Sequence, residues 1–360
     1  MSLVELHLHL DGAFRPETIF ELGKAKDISS VVHFESPAEL AAAICSQQPA
    51  DLTSVLAAFP LFMPCFIGDA EAVEQAAYEL CEDKAAEGLA YFEARYCPHL
   101  LANTVPTNPD LPKDGAPPYR GQGDVGPEEV VEAVSRGLVR GQKHFGLKAR
   151  QILATIRGFP EFSAECLALA MKHQGDVVGI DIAGSADPAS ASESADSVNQ
   201  RVFSAAAEAG IHRTVHAGES GTAEDVREAV EVLRAERIGH GYHLLHSPAV
   251  IQLVRSRGIH LEACPTSSIV TGSAVSWEQH PIKRFAEEGL HFSLSTDDPS
   301  IFGNSLPSEL QLARTKFAFS EEQLFRCQIN AAEASFLPAD EKTTLMQVIR
   351  ESAAHVNNSS

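Results

Sequence analysis

Eight short apolar runs punctuate the chain: Val4–Leu10, Leu89–Tyr96, Lys148–Arg157, Val177–Ala183, Arg213–Ala217, Ile238–Tyr242, Ile259–Cys264 and His291–Thr296. Each is β-branched or aromatic in part and ends near Gly, Pro or Asp, the pattern of strands buried on both faces. Between them the apolar positions recur with helical period. Ala72–Glu87 puts Val73, Ala76, Ala77 and Leu80 on one face and stops at Gly88. Pro127–Lys143 carries Val130, Val131, Val134 and Leu138, and Thr222–Glu236 carries Val226, Val230 and Leu233. Proline at a helix start and glycine past its end fit the usual asymmetry. Ser320 followed by Gln323 reads as a capping box, and a last helix is expected over Asp340–Ala354. Strands alternating with helices predict a parallel sheet, and eight strands are the number that closes a (β/α)8 TIM barrel. An open doubly wound sheet has the same periodicity and is the competing architecture.

Long connections interrupt this rhythm. The first two runs are separated by an insertion in which Leu52, Val55, Leu56 and Phe59 fall at helical spacing before the apolar run LFMPCFIG. That helix either packs on the core or forms an apolar lid over a pocket. The segments Thr104–Pro127, rich in Pro and Gly, and Ser185–Ser197, rich in Ala and Ser, read as loops. None resembles a linker between domains, so residues 1–360 are expected to form one catalytic barrel domain.

Composition narrows the function. Lys and Arg number 28 against 49 Asp and Glu, a net charge of −21, which disfavours a nucleic-acid backbone or an anionic membrane surface as partner. No apolar run is long enough to span a bilayer. The 7 cysteines are odd in number, widely spaced and free of CxxC, which argues for a reducing, cytoplasmic setting over a disulfide framework.

Histidine carries the chemistry. His7 and His9 on the first strand project from one face and can share an ion. His216 ends the fifth run, His240 the sixth, and Asp297 with Asp298 the eighth. In a barrel the C-terminal strand ends converge on one face, so these distant residues would meet there. Histidines plus a carboxylate suit a divalent metal such as Zn²⁺. Such an ion acidifies water for hydrolysis, and a nearby carboxylate such as Glu219 can exchange a proton with the substrate. Spacing alone does not say which histidine is not a ligand, nor what is hydrolysed.

The motifs VELHLHLDGAFRPETI, EARYCPHLLAN, HRTVHAGE, RIGHGYHLL, CPTSS, TDDP and INAAEASFLPADEK are together specific. On them the chain resembles the adenosine deaminase family, metal-dependent purine nucleoside deaminases of the amidohydrolase superfamily, from Val4 to about residue 345. The phrase YCPHLLAN is similar to the smaller intracellular animal-type members.

The resemblance implies hydrolytic deamination of adenosine and 2′-deoxyadenosine, with one Zn²⁺ per chain held by His7, His9, His216 and Asp297. It implies that Glu219 protonates the purine ring and that His240 positions and deprotonates the attacking water. It assigns Asp298 and the Gly184 amide to the base and Asp11 to the ribose. It assigns Leu52, Val55, Leu56 and Phe59 to the apolar entrance, which favours the lid reading of that helix. Some family members also bind a cell-surface protein, a partnership that nothing else in this sequence supports. Departures from the family pattern are Ser185 and Ala186 after Gly184, Thr266 within CPTSS, and Tyr119 in a lengthened loop. Related adenine or AMP deaminases, and a non-catalytic binding protein on the same fold, are the alternatives. Asp11 at the ribose end would repel a 5′-phosphate, and a binding protein would be expected to have lost a ligand.

Overall fold

The computed structural model describes residues 1–45, 50–103, 121–184 and 193–357, with backbone alone over 193–196 and 355–357. Eight strands are formed: β1 (Leu3–His9), β2 (Leu89–Tyr96), β3 (Lys148–Ile156), β4 (Val177–Ala183), β5 (His212–Ala217), β6 (Arg237–His240), β7 (His260–Ala263) and β8 (Phe292–Leu294). They pair in sequence order, every neighbour parallel. Parallel neighbours need a crossover of a dozen residues or more, which the intervening helices supply.

The sheet also returns on itself. Leu8 bridges Asp297, with the His9 N–H donating to Asp297 O at 2.8 Å and the Asp297 N–H to His7 O at 3.1 Å. A doubly wound sheet would place β1 inside a reversed strand order, and an open sheet in the observed order would leave β1 and β8 as free edges, so this closure selects the nearly closed (β/α)8 barrel. The bridge is also functional geometry, because it joins the His7/His9 strand directly to Asp297.

The C-terminal helices Glu321–Ala334 and Ala339–Asn357 pack Ile329, Leu345 and Ile349 against Val4, Leu6 and Tyr91, covering the starts of β1 and β2. The larger apolar cluster fills the layer between strands and outer helices, with Phe92, Val131, Val134, Ile238 and Val254 among its members. The opposite end of the barrel, where the strands finish, is left for the site.

Several boundaries differ from the sequence expectation. The pattern over Leu52–Phe59 forms two short helices, Leu52–Leu56 and Phe59–Phe62, rather than one. Pro60 explains the break, since it supplies no N–H to the preceding turn and is tolerated only at a helix start. The helix expected to Glu236 spans Ala223–Glu231, although Leu233 is still buried. The stretch expected as loop to Ser197 is already helical from Glu193, in Glu193–Glu208, while residues 185–192 lie outside the described residues. Tyr119 and most of the 104–127 loop lie outside them as well. No helix among the described residues is long and apolar enough to cross a membrane.

Candidate active site

Strand ends deliver the expected groups to one place. His7 and His9 come from β1, His216 from β5, His240 from β6, and Asp297 from the turn after β8. His7 Nε2 lies 3.1 Å and His9 Nε2 3.4 Å from Asp297 Oδ1. His9 Nε2 is 3.2 Å from His216 Nε2. His240 Nε2 is 3.9 Å from Asp297 Oδ2 and 3.6 Å from Glu219 Oε2. Ligand atoms of His7, His216, His240 and Asp297 all fall within 4.8 Å of one another, so His240 belongs to the same cluster as the expected ligands. His240 and Asp297 both hold left-handed backbone, φ 66° and 72°, a conformation that costs a side-chain-bearing residue free energy and gathers at functional sites.

The cluster fits a divalent cation on its own terms. His7 Nε2 is fully buried and makes no hydrogen bond, the contact with Asp297 Oδ1 at 3.1 Å lying outside hydrogen-bond geometry, and two imidazole nitrogens confront each other between His9 and His216. The outer nitrogens are already committed. The His7 Nδ1–H donates to Glu262 at 2.8 Å and the His216 Nδ1–H to Asp181 at 3.2 Å, which leaves each Nε2 lone pair turned inward. Arg95 neutralises both carboxylates, reaching Asp181 at 2.9 Å and Glu262 at 2.7 Å, while Arg237 reaches Glu262 at 2.7 Å. Burial opposes ionisation of Asp181, but His216 and Arg95 hold it well below the usual carboxylate range. Burial likewise opposes Glu262, and Arg95 and Arg237 hold it low.

Sequence reasoning missed Arg95, Asp181 and Glu262. Their signal was present, as charges on the inward-facing side of otherwise apolar strands.

Above the cluster opens a cavity of about 300 Å³. Leu52, Val55, Leu56 and Phe59 line its apolar wall, and Asp11, Gly184, Glu219 and Asp298 its polar one. Leu100, Ile156, Phe159, Thr271 and Phe302 line it too and were not anticipated. Thr266 is not among the lining residues; it donates its N–H to the buried Glu309 at 3.0 Å. Asp11 Oδ1, Asp298 Oδ1 and His240 Nδ1 are buried without a protein hydrogen-bond partner, as a site built for a polar ligand leaves them. Gly12 is required beside Asp298, since a Cβ there would sit 1.8 Å from Asp298 Oδ1. Gly239 is required under His7, whose Cε1 a Cβ would meet at 2.8 Å.

Proton affinities are sorted across this cavity. Burial, then the Asp297 charge, raises Glu219 to about 8. Burial, then Asp297, Asp11 and Glu219, raises Asp298 well above the carboxylate range. Burial raises Asp11 to about 6. Burial, followed by the charges of His7 and His216 against that of Asp297, keeps the His240 imidazole neutral. A protonated carboxylic acid thus faces a neutral imidazole, the two halves of an acid–base pair.

A family profile described as adenosine deaminase matches residues 2–352. The chain belongs to the adenosine deaminase family. Adenosine deaminase of Bos taurus is 41% identical over 96% of this chain and 93% of its own length. Among solved structures, adenine deaminase from Arthrobacter aurescens superposes with a TM-score of 0.81 at 25% identity, covering 98% of this chain and 99% of its own. An amidohydrolase from Burkhoderia ambifaria with bound Zn gives 0.83 at 21% identity, covering 100% of this chain and 92% of its own, a likeness of fold. Membership brings a metal-dependent deaminase family together with the His/Asp cluster found here.

Proposed function

We propose that this chain hydrolyses adenosine and 2′-deoxyadenosine to inosine and 2′-deoxyinosine with release of ammonia, as an enzyme of purine metabolism and salvage. The observation that carries the reading is the buried acid–base pair of Glu219 and His240 set against the His/Asp cluster at the floor of the apolar-walled cavity. His7, His9, His216 and Asp297 would hold one Zn²⁺, and His240, which faces both Asp297 and Glu219, stands beside them. Bound there, Zn²⁺ supplies a Lewis acid that lowers the pKa of water.

The remaining work falls to side chains. Glu219, protonated, gives its proton to the ring nitrogen adjacent to the amino-bearing carbon, making that carbon electrophilic. His240, neutral, takes a proton from the attacking water and orients it. The water oxygen bonds to that carbon, the proton held by His240 passes to the departing amino group, the carbon–nitrogen bond breaks to release ammonia, and the hydroxyl proton returns to Glu219 as the carbonyl forms. Asp298 and the Gly184 amide hydrogen-bond the base, and Asp11 the ribose hydroxyls. Leu52, Val55, Leu56 and Phe59 close the entrance and exclude water, which strengthens the polar contacts inside.

A 5′-phosphate at the ribose end would meet the carboxyl of Asp11, which supports the unphosphorylated nucleoside over AMP. Residues 1–360 are read as one domain because β1 and β8, from opposite ends of the chain, complete one barrel. Cys65, Cys81, Cys97, Cys166, Cys264 and Cys327 are buried free thiols, which supports a reducing, cytoplasmic setting.

The test is the ultraviolet absorbance change on mixing the Zn²⁺-loaded protein with adenosine, beside adenine and AMP. Turnover of adenosine well above the other two is expected. Preference for adenine or AMP would reassign the substrate, and no change with any would favour a binding protein.

A further inference from the structure

The segment that carries Asp297 and Asp298 is tied at both ends to one buried cation. Thr296 gives its backbone N–H at 2.7 Å and its hydroxyl at 2.6 Å to Glu5 Oε1. Glu5 Oε2 lies 3.2 Å from Lys84 Nζ, on the helix Ala70–Ala86, and the Lys84 side chain is 1% exposed. Lys84 Nζ is also 3.1 Å from Glu87 Oε1, and Glu87 Oε2 accepts the backbone N–H of Leu306 at 2.9 Å. Asn304 Nδ2 closes the loop internally by donating to Thr296 O at 3.1 Å.

Strand geometry makes this possible. An unbroken β1 would put Glu5, His7 and His9 on one face. The register irregularity between Glu5 and Leu8 breaks that alternation, so Glu5 meets Lys84 of the outer helix while His7 meets Glu262 and Asp297.

We propose that Lys84, with Glu5 and Glu87, is a positioning clamp that pins both ends of the 296–306 segment and thereby sets where Asp297 and Asp298 stand. Two features make position the role rather than bulk stability. Buried ion pairs recover little more than their desolvation cost, so a triad of this kind is a poor source of net stability. Asp297 holds left-handed backbone, which neighbouring contacts must impose, and Thr296 immediately before it is held through two hydrogen bonds to the clamp. Through Asp297 the clamp bears on metal affinity, a consequence that rests on the reading of Asp297 as a ligand.

Lys84→Met removes the shared cation. In the metal-free full-length chain, amide exchange over residues 296–306 is expected to rise on the order of tenfold, with β5 unchanged. The dissociation constant for Zn²⁺, read by competition with a chelator, is expected to rise roughly ten- to a hundredfold. Val73→Ala, a buried truncation in the same helix, is expected to lower the melting temperature and leave both readings at wild-type values. If Lys84→Met does not fold, Glu87→Gln, whose native side chain is 18% exposed, tests the Leu306 end by the same measurements.

Wild-type exchange over 296–306 in whichever variant folds overturns the clamp, and so does equal loosening in Val73→Ala. Faster exchange with unchanged Zn²⁺ affinity overturns its influence on Asp297. The functional reading fails separately, if the wild-type chain binds no Zn²⁺ or turns over no adenosine, because exchange is measured without metal.

Discussion

At the scale of single residues, burial sets the chemistry. Glu219 is carried to about 8 because its carboxylate would be desolvated beside Asp297, so near neutral pH it keeps its proton, as the proposed transfer to the ring nitrogen requires. Glu219→Gln keeps the shape and loses the transferable proton. Its kcat/KM for adenosine is expected to fall by about 10²–10⁴, with Zn²⁺ content unchanged by elemental analysis. Near-native turnover would remove Glu219 from the acid role.

Glu309, held by Thr266 and Asn304, shows the same physics as a stability effect. Burial raises it from 4.5 to about 7. The folded state therefore binds more protons than the unfolded one between these values. The contribution of this carboxyl is fully present below pH 4.5 and is lost as pH rises through about 7, on the order of 3 kcal/mol in all. The stability of Glu309→Gln relative to wild type should accordingly improve across that window in denaturant melts. A difference independent of pH would contradict the assignment.

At the scale of elements, short helices govern the entrance. Leu52–Leu56 has five residues, too few to be stable alone, and its start is capped by Asp51, which accepts the Ser54 N–H at 2.7 Å. Asp51→Ala should weaken the cap and leave the wall more often displaced. The expected result is a KM for adenosine raised roughly two- to fivefold with kcat retained, since the cap touches substrate binding and not the proton transfers. A loss of kcat at constant KM would place this wall in the chemical step instead. Leu52, Val55, Leu56 and Phe59 reach the cavity from two helices, so the wall is built in two pieces.

At the scale of the whole molecule, the barrel collects the proposed ligands, which lie up to 290 residues apart in sequence, from His7 to Asp297, and an ion bound to them would tie β1, β5 and the turn after β8 together. Because such a site exists only in the folded chain, ion binding adds to stability by mass action, about 4 kcal/mol at a thousandfold excess over the dissociation constant. Stripping the metal with a chelator should therefore lower the melting temperature, and restoring Zn²⁺ should return it. The same treatment of His7→Ala should produce no shift. The net charge of −21 acts at this scale as well, adding long-range repulsion against phosphorylated competitors at low salt.

The alternation of strand and helix is legible in the order of residues, because buried parallel strands and amphipathic helices each leave a period that survives in one dimension. So is the list of groups able to bind metal or move protons, since side-chain identity is chemistry before any folding. How those groups are held depends on the folded chain. The barrel closes through Leu8 and Asp297, and nothing in the periodicity separates that bridge from an open edge. His240 falls into one cluster with His7, His216 and Asp297, which distance alone can reveal. Arg95, Asp181 and Glu262 form the layer beneath His7 and His216 through contacts between strands remote in sequence. Glu5 turns away from His7 because one register irregularity breaks a two-residue alternation. Local pattern records what each residue prefers. Which preferences are overruled depends on packing between segments that only the closed barrel brings together.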